Sequence, residues 1–128
     1  MAHVGPVHRW EVYWVDLEPR IGREQGGERR PAIVLSNDGF NAHFDVVTVV
    51  PLTKREGKRR RVYEFEVLLP GASLGTGVES IAMPHQIRTI SKIRLLERIG
   101  SLTDEAHQVD LENRVLEHLG IAFEAEEL

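Results

Sequence analysis

RWEVYWVDLEPRIGREQGGERRPAIVL, residues Arg9–Leu35, decides the fold class. Arg9–Leu17 is dense in aromatic and branched residues and reads as a strand, with Val12, Trp14 and Asp16 on one face and Tyr13, Val15 and Leu17 on the other. Pro19 ends it. Gly22–Pro31 sets three glycines among polar residues and reads as a loop. Ala32–Leu35 is a short apolar strand, stopped by Ser36-Asn37-Asp38-Gly39, which leads into one helical turn.

Further along, the chain repeats this short-strand pattern. Val46–Leu52 is a continuous apolar run, the mark of a buried strand. Val62, Tyr63, Phe65, Val67 and Leu69 alternate well enough for a strand over Val62–Leu69. Pro70–Gly77 is turn-like. Gly77–Met83 and Gln86–Ile90 read as a strand pair around Pro84, and Leu95–Ser101 as a last strand. Helical period appears only at the end. Thr103 is the expected N-cap, Asp104 and Glu105 suit the positive end of the helix dipole, and Gly120 is the expected residue after the cap. Val109, Leu111, Val115, Leu116 and Leu119 form one broad stripe. Many short strands followed by one helix predict a mainly β fold: a small β-barrel with a C-terminal helix packed on it. There is no internal repeat or linker. The expectation is one domain over residues 1–128, with its core at 9–120 and an acidic tail at 121–128.

The 128 residues suit a single domain, and 41% hydrophobic content is enough for one core. With no cysteine, disulfides, zinc thiolates and thiol nucleophiles are excluded. No stretch approaches the roughly 18 apolar residues of a membrane span, and no signal-like run opens the chain. A cytoplasmic protein is expected. The six histidines lack H-E-x-x-H spacing, the carboxylates lack a calcium-loop pattern, and there is no G-x-S-x-G elbow. No metal or other cofactor is expected.

Net charge is −4, but its distribution matters more. From Thr103 onward there are eight acidic residues against Arg114 alone, a net of −7; the preceding body has fifteen basic and twelve acidic residues, a net of +3. The basic excess lies in two loops. One holds Arg20, Arg23, Arg29 and Arg30; the other, Lys54–Arg61, has six basic residues in eight. A polyanion responds to such local fields rather than to net charge.

These loops carry the candidate chemistry. Gly22-Arg23-Glu24-Gln25-Gly26-Gly27 is neither a phosphate loop nor a dinucleotide loop, and composition alone favours an ordinary hairpin connection. Its glycines nevertheless carry both donors and an acceptor that could wrap a phosphodiester. Arg30 precedes Pro31, which biases it toward an extended conformation at a loop-to-strand junction. A guanidinium there can fork onto two phosphate oxygens, although most arginines are simply surface residues. Thr53 ends a strand beside the basic loop, a common place for a β-branched residue. Lys54–Arg61 reads as a nucleic-acid contact or as a solvated loop. Trp10, Tyr13, Trp14, Phe44, Tyr63 and Phe65 could stack bases, though most such residues on strands belong to the core.

Read in order, the segments Val12–Pro19, Gly22–Gly27, Arg30–Asp38, Val49–Thr53, Gln86–Ile90 and Ile99–Leu102 resemble the MazF/PemK family of toxin–antitoxin ribonucleases. The resemblance runs from about Arg9 to Gly120. It implies an SH3-like barrel with a C-terminal helix, working as a homodimer. It implies metal-free, sequence-specific cleavage of single-stranded RNA (mRNA) by 2′-hydroxyl attack, leaving a 2′,3′-cyclic phosphate and a 5′-hydroxyl. The family's catalytic arginine maps onto Arg30, its catalytic threonine onto Thr53 and its loop glutamate onto Glu24. The RNA-contacting set is expected to be Arg23, Gln25, Arg29, Asn37, Lys54, Arg55, Arg59, Gln86 and Arg88, with Lys58, Arg60 and Arg61 adding to the steering charge. A cognate antitoxin with an extended acidic C-terminal segment is the implied protein partner, and Val46–Leu52 and the last helix are the expected dimer surfaces.

Two departures stand out: Arg23 replaces the family's usual serine, and the loop is one residue longer at Glu28-Arg29-Arg30, so Arg29 could share the role of Arg30. The rival readings are a gyrase-poisoning toxin of the same fold, a non-enzymatic SH3-like binding module, and an inactive or antitoxin-binding relative, which Arg23 leaves open. The first needs a tryptophan near the C-terminus, whereas both tryptophans here lie in the first strand.

Overall fold

The computed structural model describes residue 3, residues 5–57 and residues 59–122; Lys58 and most of the expected acidic tail, 123–128, lie outside the described residues. The elements run β1 (Glu11–Val15), β2 (Arg30–Val34), α1 (Asp38–His43), β3 (Val46–Lys54), β4 (Val67–Leu69), α2 (Gly71–Leu74), β5 (Ser80–Ala82), β6 (Arg88–Ser91), β7 (Leu95–Ser101) and α3 (Glu105–His118). Short 3-10 turns cover Pro84–Gln86 and Lys92–Arg94. The fold is mainly β, antiparallel, with a C-terminal helix.

The strands are ordered β4-β5-β3-β2-β1-β7, and β6 also pairs with β3. The nine-residue β3 organises the sheet. One edge pairs with β2, in the register Ala32↔Pro51 to Val34↔Val49. The other edge is divided: Val46–Val49 meet β6, and Leu52–Lys54 meet β5. The expected strand pair around Pro84 therefore exists as two strands, but they do not pair with each other. They lie in succession along β3, separated by the 3-10 turn at Pro84–Gln86.

Strict alternation buries both faces. Tyr13, Val15 and Leu17, together with Ala32, Val34, Val47 and Val49, form one core cluster. Val12, Ile33, Val50 and Leu52 belong to the second, with Leu111 of α3. The apolar run of β3 is thus interior, with Val47, Val49, Val50 and Leu52 at 0% exposure, and cannot supply the dimer surface expected of it.

Three further expectations are corrected. The strand read over Val62–Leu69 shrinks to β4, because residues 63–66 form a turn in which Glu66 N–H donates to Tyr63 O at 2.9 Å. The cap of α3 is Asp104, whose Oδ1 accepts from His107 N at 3.1 Å; Thr103 lies one residue earlier. Of the stripe on α3, Leu111 is buried, whereas Val109 and Leu119 face outward. Among the described residues no ladder joins β7 to β4, so the expected barrel is not closed by hydrogen bonding. Instead α2 sits against β7. Gly100 is needed there, since a Cβ would lie 2.2 Å from Leu74 O, and Thr103 N donates to Ser73 O at 3.2 Å. A single helical turn offers no strand edge, so the sheet remains open at this seam. No helix among the described residues is long and apolar enough to cross a membrane.

Candidate active site

β2 and β3 bring the arginine and the threonine together. Continuing the β2–β3 register from Ala32↔Pro51 by two residues sets Arg30 level with Thr53. Both line a cleft of about 590 Å³, with Trp14, Arg29, Lys54 and Glu56. The Arg30 side chain is half-buried and held at two points: Nε donates to Gly26 O at 2.9 Å, and one terminal nitrogen donates to Leu52 O at 3.3 Å. A guanidinium has five N–H donors in a fixed plane, so these anchors leave its remaining edge free to fork onto an anion. Burial, and next the charge of Arg20, lower its pKa from the ordinary arginine value. Desolvation also strengthens its field on any phosphate entering the cleft.

Arg29 sits differently. Its guanidinium lies 4.9 Å from the Trp14 ring centroid and pairs with the exposed Glu97. Exposed pairs of this kind contribute about 0–1 kcal/mol, so Arg29 can exchange Glu97 for a ligand at little cost. Lys54 is exposed at the end of β3.

The segment before Arg30 is framed by side chains remote in sequence. Leu17 N donates to Gly27 O at 2.8 Å, and Glu18 Oε2 accepts from Gly27 N at 2.5 Å. These backbone hydrogen bonds, from Gly27 and then Arg20, lower the pKa of Glu18 and keep it an acceptor. Arg94 donates to Asp16 O at 3.1 Å and fixes the root of the loop. Gln86 closes the frame. Its Oε1 accepts from Gln25 N at 3.0 Å, and its Nε2 donates to Arg23 O at 3.3 Å. Gly26 is required by space, since a Cβ would lie 2.4 Å from Glu18 Oε2 and 2.9 Å from Arg20 Cβ.

The family model for PemK-like, MazF-like toxins of type II toxin–antitoxin systems matches residues 8–121. The chain belongs to this family. It is 38% identical over 120 residues to a protein named endoribonuclease MazF9 from Mycobacterium tuberculosis, covering 90% of this chain and 98% of that protein. Among solved structures it resembles MazF from Deinococcus radiodurans, with a TM-score of 0.77 and 26% identity over 92% of this chain and all of that one. A mycobacterial endoribonuclease solved in complex with its cognate antitoxin shares the fold, with a TM-score of 0.71 and 20% identity over 94% of this chain and all of that one.

Against the family pattern, the structure divides the residues expected at the site. Glu24 does not line the cleft of Arg30 and Thr53. It is exposed and lines a second cleft of about 270 Å³ with His85, Gln86, Ile87 and Arg88. Arg88 is half-buried there, and one of its terminal nitrogens has no hydrogen-bond partner among the described residues. Gln25 and Gln86 are engaged with each other, and the Arg23 carbonyl with Gln86. Asn37 is occupied as the N-cap of α1, accepting from Phe40 N at 2.8 Å. Arg55 pairs with Glu79 at 3.7 Å, and Arg59 is an exposed turn residue. Sequence reasoning missed two contributors: Glu18, the anchor of the loop, and Glu56, among the described residues the only carboxylate lining the main cleft; Trp14, read as one of six aromatics that could stack bases, is instead the platform under Arg29. Glu56 had one signal, as the lone acid in Lys54–Arg61.

Proposed function

We propose that this chain is a sequence-specific endoribonuclease toxin that cuts single-stranded RNA by 2′-hydroxyl attack without metal, with Arg30 and Thr53 at the scissile phosphate. The observation that carries this reading is the anchored Arg30 level with Thr53 in one basic cleft, in a chain of the MazF-like family. The relative named as an endoribonuclease at 38% identity supports it.

In the proposed reaction the 2′-oxygen attacks the adjacent phosphorus while the bond to the 5′-oxygen breaks. A cyclic phosphate forms, one proton leaves the 2′-hydroxyl and one reaches the departing oxygen. Negative charge grows on the phosphoryl oxygens, and a guanidinium already fixed by two carbonyls stabilises it without reorganising. Arg30 also faces the leaving oxygen as a donor, and Thr53 holds a phosphoryl oxygen by its hydroxyl. A guanidinium hardly deprotonates, so the base is a carboxylate or water. Among the described residues lining the cleft only Glu56 can serve as that carboxylate; Glu24 reaches it only if the loop moves. Arg29 and Lys54 attract the backbone, with Arg59 farther out on the loop. Arg23, Gln25, Gln86 and Arg88 bound the neighbouring nucleotides, and Asn37 takes no part unless α1 loses its cap. A homodimer and a cognate antitoxin with an acidic tail complete the reading.

The decisive experiment incubates the purified chain with a long RNA in EDTA and maps cut sites and end groups. Cyclic phosphate and 5′-hydroxyl ends are expected, lost in Arg30→Ala and Thr53→Ala. Cutting that stops in EDTA, or persists in both variants, overturns the proposal.

A further inference from the structure

Tyr63 and Phe65 lie outside both clefts, yet they are exposed and stacked on each other. Their ring centroids are 5.4 Å apart at an interplanar angle of 10°, and each residue keeps over 40% of its surface in water, at 43% and 44%. A buried carboxylate builds this arrangement. The Glu66 side chain, 1% exposed, accepts from both terminal nitrogens of Arg60 at 3.0 and 2.7 Å and from Tyr63 N at 3.1 Å. That closes the turn and turns the two rings outward. Behind Phe65 stands His85, edge-on at 4.9 Å. Burial lowers the His85 pKa, so it packs there as a neutral ring. In front, the Arg61 guanidinium lies 4.9 Å from the Tyr63 centroid. Among the described residues Arg61 has no carboxylate within 4 Å.

We infer that Tyr63 and Phe65 form a stacking subsite for a nucleobase of single-stranded RNA, lying beyond the nucleotides at Arg30 and Thr53. The inference rests on the endoribonuclease reading for its ligand. An offset pair at 5.4 Å has no room for a base between its rings, so the base stacks on the outer face of Tyr63. It displaces the Arg61 guanidinium, which then meets the adjoining phosphate, while Arg60, 5.6 Å from the Tyr63 centroid, stays on Glu66. This combination of π-faces and flanking cations is how single strands are held without reading base identity. At its other end the ladder reaches His85, which lines the second cleft with Gln86 and Arg88, so one path joins the basic loop to that cleft. Phe40 and Phe44 also stack, at 4.8 Å, but no guanidinium lies over either ring among the described residues.

The test uses a single-stranded 2′-O-methyl oligonucleotide carrying 2-aminopurine. Without its attacking hydroxyl it binds but cannot be cut. Wild type should bind it and quench the fluorophore. Tyr63→Ala and Phe65→Ala should each weaken binding at least about fivefold and relieve quenching. Tyr63→Trp should restore both, whereas Tyr63→Leu, which keeps apolar bulk without the ring, should not. Circular dichroism checks that the variants are folded. Equal binding by the alanine variants, or rescue by leucine, overturns the subsite while the endoribonuclease reading stands. Failure of wild type to cut unmodified RNA overturns that reading separately. Loss of binding to a protein partner with oligonucleotide binding unchanged assigns the ladder to the partner and also overturns the inference.

Discussion

Gln86 separates two accounts of this site. The family resemblance makes it a reader of bases; its hydrogen bonds make it a strap on the loop that leads into Arg30. Gln86→Ala removes an acceptor for Gln25 N at 3.0 Å, half-buried, and a more exposed donor to Arg23 O at 3.3 Å. Neutral hydrogen bonds contribute about 0.5–1.5 kcal/mol each, with the longer one at the low end, so the loss is about 1–2 kcal/mol. That is a roughly 5- to 30-fold fall in the population of the strapped loop. The residue after Gln25 supplies Gly26 O, which holds Arg30 Nε, so the loosened loop takes the guanidinium with it. Single-turnover cleavage should slow by up to that factor at every site, with the set of cut sequences unchanged. Hydrogen exchange of the Gln25 amide should accelerate in step. Gln86→Glu keeps the acceptor but sets an oxygen against Arg23 O, so Gln25 protection should persist with an intermediate rate. A changed cleavage motif in Gln86→Ala, or a Gln25 amide that exchanges as before, would refute the strap.

Glu56→Gln should reduce cleavage more than Glu24→Gln, because among the described residues Glu56 is the carboxylate that shares the cleft with Thr53; the reverse order assigns the base to Glu24. Gly26→Ala forces a Cβ to within 2.9 Å of Arg20 Cβ and should destabilise the fold by about 1–3 kcal/mol, read as a lowered Tm, with cleavage lost more steeply than stability. Burial depresses the His85 pKa in the folded state, so its contribution to stability is full above the unfolded value of about 6.5 and is lost as pH falls. Between pH 7.5 and 5.5 wild type should therefore lose more stability than His85→Gln; parallel pH curves in denaturant melts would exclude this source. RNA affinity should fall linearly on a log–log plot as salt rises, and Arg59→Ala with Arg61→Ala should flatten the slope.

Much of this was legible in the sequence. β7 has the bounds read for it, β1 and β3 lie within a residue or two of theirs, and the arginine before Pro31, expected at the junction of the loop with a strand over Ala32–Leu35, opens a strand that starts two residues earlier. These features depend on neighbours in the chain: alternation, a proline's restriction on the preceding residue, a glycine-rich break. What failed depends on partners far away. Tyr63 and Phe65 alternate like a strand, yet Glu66 and Arg60 fold them into a turn, since a buried carboxylate requires its cation more strongly than two aromatics require a sheet. The strands flanking Pro84 looked like a hairpin because nothing local shows that β3 is long enough to pair with each separately.

The same distinction bears on Arg30. Its position before proline is local and visible, but its competence is not. Leu52 O comes from β3, the two neighbours of Gly26 are held from afar, Gly27 by Glu18 and Gln25 by Gln86, and Arg94 pins the loop root from 76 to 78 residues away. Arg30→Lys therefore changes more than a charge-conserving swap suggests. An ammonium has no Nε at the mid-chain position to meet Gly26 O while another nitrogen faces the phosphate. It must choose between anchor and substrate, so the variant should bind RNA with near-normal salt dependence and cut it poorly. Arg23 and Arg29 sit close enough in sequence to supply replacement charge, but among the described residues neither guanidinium is anchored by carbonyls in this way. Near-wild-type cleavage by Arg30→Lys would show that positive potential alone drives the reaction, and the anchoring would then be structural. Loss of cleavage with retained binding places catalysis in the fixed orientation of a single guanidinium.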